Sequence, residues 1–145
     1  MEMIVVGVDG SDGGAAALEF AAHEASVHKA TLRVVSAWQV PYAAYGEGFM
    51  PPSDMSETIR GEAEALARRA AEHAVELEPS LYCEHEAVEG HAAEVLARES
   101  RSASLVVVGS RGHGSFASLL LGSISHQVAQ HSQCAVVIVP HTPEK

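Results

Sequence analysis

Glycines at 109, 112, 114 and 122, within the stretch GSRGHGSFASLLLGSISHQ (109–127), make this the part of the chain best suited to chemistry. A loop that wraps an anion's oxygens with its own amides needs backbone conformations that glycine reaches cheaply, and no Cβ in the ligand's way. Gly109, Gly112 and Gly114 meet that need. A helix opening at Gly122 and Ser123 then presents the unpaired N–H groups and positive dipole end of its first turn, over Ser123, Ile124 and Ser125. The Ser123 and Ser125 hydroxyls add donors, Arg111 adds charge, and His113, inside the loop, is placed to touch a phosphate. The chemistry predicted is capture of phosphate oxygens by main-chain donors. Each feature alone has a plainer reading, since glycine after a strand is a common turn former and serine a common helix cap. Their joint spacing is more specific: Gly109, two residues, Gly112, nine residues, then Gly122-Ser123.

A second candidate is Asp9, which closes the apolar run in VGVDGS. It reads either as a ligand-facing carboxylate or as the cap of the helix that follows.

The formal net charge of -10 argues against binding a nucleic-acid duplex through its phosphates, which requires a basic face that displaces counterions. Any phosphate site must therefore be local, with backbone amides supplying the positive potential that the composition withholds. A divalent cation arriving with the phosphates, Mg for instance, would supplement it. Nine histidines are present, yet none falls in an HExxH or C-x2-C arrangement. No resident metal site is expected.

These residues need a scaffold. Four segments are short, apolar and β-branched: MIVVGVD (3–9), TLRVVSAW (31–38), SLVVVGS (104–110) and AVVIVP (135–140). They read as strands buried on both faces. LYCEHEAV (81–88) alternates, placing Leu81, Cys83, His85 and Ala87 on one side, as an edge strand does. Helical patterns lie between them at 13–30, 55–77, 91–101 and from 122 or 123 to about 131. In the second, Met55, Ile59, Ala63, Leu66, Ala70, Ala74 and Leu77 form an apolar stripe, Asp54 and Glu57 give a capping-box-like start, and Pro79 blocks continuation. Alternating β and α elements predict an α/β fold: one domain over 1–145, an open five-stranded parallel sheet with helices on both faces. In such a sheet, ligands bind outside the carboxyl ends of the strands. Asp9 and Gly109 both stand at such ends. Residues 39–54 have no periodicity and read either as a loop that orders over a ligand or as a plain linker.

With these features in place, the chain resembles the universal stress protein family over essentially its whole length, from VGVDGS through GSRGHG to GSISHQVAQHSQCAVVIVP. The resemblance is to its nucleotide-binding branch, in which the signature G-x2-G-x9-G-[ST] marks members that bind ATP. It implies a Rossmann-like sheet of order 3-2-1-4-5 and a homodimer formed by antiparallel pairing of the last strands. It also implies that Gly109, Gly112, Gly122, Ser123 and Ser125 hold phosphates and ribose. Asp9 and the backbone at Gly7 and Val8 would lie beside the adenosine, and Ala37, at the second strand's end, would meet adenine.

The expected function is that of an ATP-binding regulator in the stress response. Without a Walker-type GK[ST], a lysine near the loop or an evident base, hydrolysis or autophosphorylation would be slow. The other reading is a protein-interaction module that binds no nucleotide and whose glycines only shape a turn. An enzyme working through adenylated intermediates is disfavoured by the absence of SGGxDS and HIGH motifs. The apolar final strand (135–139) is an edge that invites a second copy, the other reading being that the C-terminal tail covers it. Order 3-2-1-4-5 would set Cys83 and Cys134 about 19 Å apart, too far for an intrachain disulfide. The beginning of the chain lacks a basic leader, and no apolar run reaches the roughly 20 residues of a membrane span, so a cytoplasmic location is expected.

Overall fold

The computed structural model describes residues 1–42, 46–48, 50–110 and 122–140. The elements run β1 (Met3–Gly7), α1 (Asp12–His28), β2 (Thr31–Trp38), α2 (Met55–Leu77), β3 (Cys83–Glu89), α3 (Ala92–Glu99), β4 (Leu105–Gly109), α4 (Ser123–His131) and β5 (Ala135–Val139). Among the described residues these are five strands and four helices, and the strands form one all-parallel sheet of order β3-β2-β1-β4-β5. The expected fold class and strand order are those observed.

The near-continuous apolar strands follow from burial on both faces. On one side, Ile4, Val6, Leu32, Val34, Leu105 and Val107 pack against Ala17, Leu18, Ala21 and Ala22 of α1 and Ala71 and Ala74 of α2. On the other, Val5, Val35, Val106 and Val108 meet Val95 and Leu96 of α3 and Val128 of α4. Alternate side chains of each strand thus feed two cores. The helices change faces between the β1–β2–β3 half and the β4–β5 half, which leaves a crevice at the carboxyl ends of β1 and β4. Those two strands are direct neighbours, with Val6 opposite Val107.

Several local expectations need correction. The buried line of α2 is Ala63, Ala67, Ala71 and Ala74, with Leu66 and Ala70 packed at its margin. Leu77 is 44% exposed. Alanines let a long helix sit close to the sheet, whereas the predicted stripe favoured the larger side chains. Asp54 stands at the N-cap position of α2, but its backbone is helical and its side chain makes no capping bond. In β3 both faces are partly covered and His85 is exposed. Leu81 and Cys83 pack on one core and Val88 on the other. Helix α1 ends through Lys29, a non-glycine residue at φ 54° whose N–H reaches the carbonyls of Ala25 and Ser26.

Candidate functional site

Parallel topology starts every crossover helix at the carboxyl rim of the sheet, so that its first-turn amides and positive dipole end lie on that side. Three such starts line one cleft: Ser11 and Gly14 from α1, Ala92 from α3, and Gly122 with Ser123 from α4. The strand ends Gly7, Val8, Asp9, Ala37 and Gly109 form its floor and rim, and Val35, Leu96, Val108 and Ile124 give it an apolar part. The cleft encloses about 620 Å³, counting the part open to solvent.

The expected residues Gly7, Val8, Asp9, Ala37, Gly109, Gly122, Ser123, Ile124 and Ser125 are therefore brought together on this one cleft. Arg111, Gly112, His113 and Gly114 lie outside the described residues. So do residues 43–45 and 49 of the 39–54 segment. Gln39, where that segment begins, has its Nε2 3.1 Å from His91 Nδ1, beside the start of α3.

The local geometry revises three expectations. Ser11, not Asp9, caps α1: its Oγ accepts the Gly14 N–H at 3.1 Å. Asp9 works one step behind the cap, its Oδ1 accepting the Ser11 N–H at 2.9 Å and the Ser11 hydroxyl. Gly109 and Gly122 are not glycines for the sake of a left-handed backbone. Gly109 ends a regular strand and is not among the residues at positive φ, and Gly122 sits at φ -73°. At Gly109 the reason is packing against α1. Ser125, expected to offer its hydroxyl to a ligand, turns it inward to the carbonyls of Ser110 and Gly122.

Sequence reasoning missed Ser11, Gly14, Val35, Ala92, Leu96 and Val108. The signal was present in the β/α alternation, which obliges the helix after β3 to begin at the same rim as the others. Gly7 also has a packing role, because a Cβ there would fall 2.8 Å from Leu96 Cδ1. Bare backbone at the end of β1 lets the Leu96 side chain cover it.

Away from the cleft, Arg33 of β2 joins three acidic residues. Its Nε and Nη2 reach the two carboxylate oxygens of Glu99, each at 2.9 Å. Its Nη2 also donates to Glu86, and Nη1 lies 3.6 Å from Glu84. The Glu99 hydrogen bond, opposed by burial and reinforced by Glu86, holds the guanidinium above its already high ordinary value. Cys83 and Cys134, on β3 and just before β5, are both free thiols at opposite sides of the sheet. Among the described residues there is no cluster of three metal-ligating side chains, and no helix is long and apolar enough to cross a membrane.

The family model for the universal stress protein family matches residues 1–140. A Mycobacterium bovis universal stress protein is 31% identical over 97% of this chain and 48% of its own length. The chain thus spans about half the length of the first curated relatives it matches. The Bacillus subtilis universal stress protein YxiE is 34% identical, with 94% of this chain and 97% of YxiE covered. Among solved structures, a universal stress protein in complex with cAMP superposes with a TM-score of 0.69 at 28% identity, covering 96% of each chain. The chain belongs to the universal stress protein family.

Proposed function

We propose that this chain binds an adenine nucleotide in the cleft at the ends of β1 and β4, that the nucleotide is ATP with Mg carried on its phosphates, and that it acts as a cytoplasmic regulator in the stress response. The observation that carries this reading is the convergence of three helix starts on one cleft in a molecule of net charge -10. Oriented amides at those starts make a local anion site without basic side chains. The apolar part between Val35, Leu96 and Ile124 suits a flat ring, with Ala37 and Ala92 leaving it room. The complex of a family member with cAMP supports an adenine nucleotide as the ligand class. The spacing of Gly109, Gly112 and Gly122-Ser123 supports ATP. Hydrolysis or self-phosphorylation is slow in this reading, because the sequence has no Walker-type GK[ST] and no lysine near the glycine loop.

The same reading includes a homodimer through β5. The β3 edge carries Glu84, Glu86 and Glu89, charges that discourage strand pairing, whereas β5 reads Ala-Val-Val-Ile-Val with none. Sedimentation of the purified chain as a monomer at micromolar concentration would remove that part.

A second reading, an interaction module without nucleotide, draws on Gly7 and Gly109, whose packing roles need no ligand. Calorimetric titration with ATP and magnesium separates the two. Saturable binding at micromolar concentration, abolished by Gly122→Val without loss of fold, is the expected result. No binding at millimolar ATP would reject the nucleotide reading.

A further inference from the structure

Ser125 is 2% exposed. Its Oγ lies 3.1 Å from the Ser110 carbonyl oxygen and 3.0 Å from that of Gly122, so a single hydroxyl proton serves two acceptors. The Ser110 carbonyl also accepts the Gly122 N–H at 2.5 Å, and the Gly122 carbonyl accepts the His126 N–H at 3.0 Å. From its other side, Ser110 donates its N–H to the carbonyl of Val139, the last residue of β5, at 2.9 Å. Ser110 thus ties the end of β4 to the start of α4 through its carbonyl and to the end of β5 through its amide.

A serine hydroxyl bonded three residues back is a common local motif at helix starts. That motif accounts for the contact with Gly122. It does not account for the contact with Ser110, fifteen residues away in sequence. The second contact needs a small hydroxyl at this position: alanine has no donor, and a larger side chain has little room in so buried a place.

We propose that Ser125 is a positioning residue. Its hydroxyl clamps the start of α4 onto the end of β4 and thereby aims the first-turn amides of Ser123 and Ile124 at the cleft, without touching a ligand itself. The effect on ligand rests on the nucleotide reading above; the clamp does not.

Ser125→Ala tests this in the full chain. Both acceptor carbonyls keep a backbone donor, from Gly122 and His126 respectively, so the variant loses a bond without stranding a buried group and should fold. Amide hydrogen exchange is measured without nucleotide, and ATP binding separately. The expected result is exchange about tenfold faster at the Gly122 and Ser110 amides, unchanged exchange in β1 and β2, and ATP binding weakened about tenfold. Ser125→Cys, close in volume with a weaker donor, should show the same changes in smaller measure and serves if the alanine variant fails to fold. Unchanged exchange would overturn the proposal, and weaker ATP binding alongside it would make Ser125 a direct ligand contact. Faster exchange with wild-type ATP affinity would overturn it as well. Faster exchange in the variant, with no ATP binding even by the wild type, would leave the clamp standing and remove the nucleotide reading.

Discussion

Gly109 and Gly13 meet backbone to backbone: a Cβ on Gly109 would lie 2.6 Å from the Gly13 carbonyl oxygen and 2.7 Å from its carbonyl carbon. The obstacle is main chain in the first turn of α1, so no rotamer change relieves it. This contact brings the start of α1 against the end of β4, and both border the cleft. Gly109→Ala should therefore destabilise the fold by about 3 kcal/mol, at the upper end of ordinary overpacking costs. Urea unfolding measures the loss. A cost near zero would mean that α1 is free to move away and that this approach does not fix the cleft's width.

A relay joins the first strand to the first helix. Asp9 Oδ1 receives the Ser11 N–H, and Ser11 Oγ receives the Gly14 N–H. Gly14 is close enough that a Cβ there would sit 3.1 Å from Asp9 Oδ1. Ser11→Ala removes the cap and one of the groups holding the Asp9 carboxylate. It should cost about 1 kcal/mol of stability. Gly14→Ala keeps the cap but pushes on the carboxylate, so it should lower nucleotide affinity by more than it lowers stability. Thermal unfolding paired with ATP titration of the two variants checks that ordering, and the reverse ordering would remove Asp9 from the site.

The scaffold was readable because its signals are local. Residues 31–38 and 55–77 match their elements at both ends, since a β-branched run, helical periodicity and the stop at Pro79 are each written within a few residues. The location of the cleft was also legible, because Asp9, Gly109 and Gly122 stand at chain positions that a parallel sheet must gather at one rim. What those residues do there was less so. The inward turn of Ser125 depends on Ser110, and the glycine at 109 answers to Gly13, a helix first turn 96 positions earlier. Leu96 reads as an ordinary core leucine until β1 is seen to end in a glycine beneath it. Spacing reports which residues gather; the partner across the fold decides what each one does.

Arg33 is another such case, with Glu99 66 positions away. The Arg33 side chain is 17% exposed, and so is that of Glu99. Removing the arginine would leave Glu99, Glu86 and Glu84 gathered without their counter-charge. Arg33→Met, which keeps most of the apolar stem, should cost about 2–4 kcal/mol, somewhat below a fully buried pair because Glu84 and Glu86 remain solvated. Adding Glu99→Gln should recover part of the loss, a coupling that a double-mutant cycle in urea reads directly. Strict additivity would show that the bidentate contact contributes nothing at equilibrium.

Cys83 supplies a prediction in pH. Burial, helped by the neighbouring Glu84 charge, pushes its thiol from 9.0 up to about 11. Between those values the unfolded chain releases a proton that the folded chain retains, so rising pH favours unfolding there. The stability associated with the neutral thiol is full below about 9 and is lost as pH rises through about 11. Native Cys83 should accordingly resist iodoacetamide at neutral pH, with its alkylation rate climbing towards an inflection near 11. In urea, the wild-type midpoint should fall relative to that of Cys83→Ala across the same alkaline window, because the variant has no thiol to ionise. A wild-type-minus-variant difference that stays flat through that window would show that the thiol ionises as readily in the sheet as in the unfolded chain, and that β3 leaves its first residue open to water.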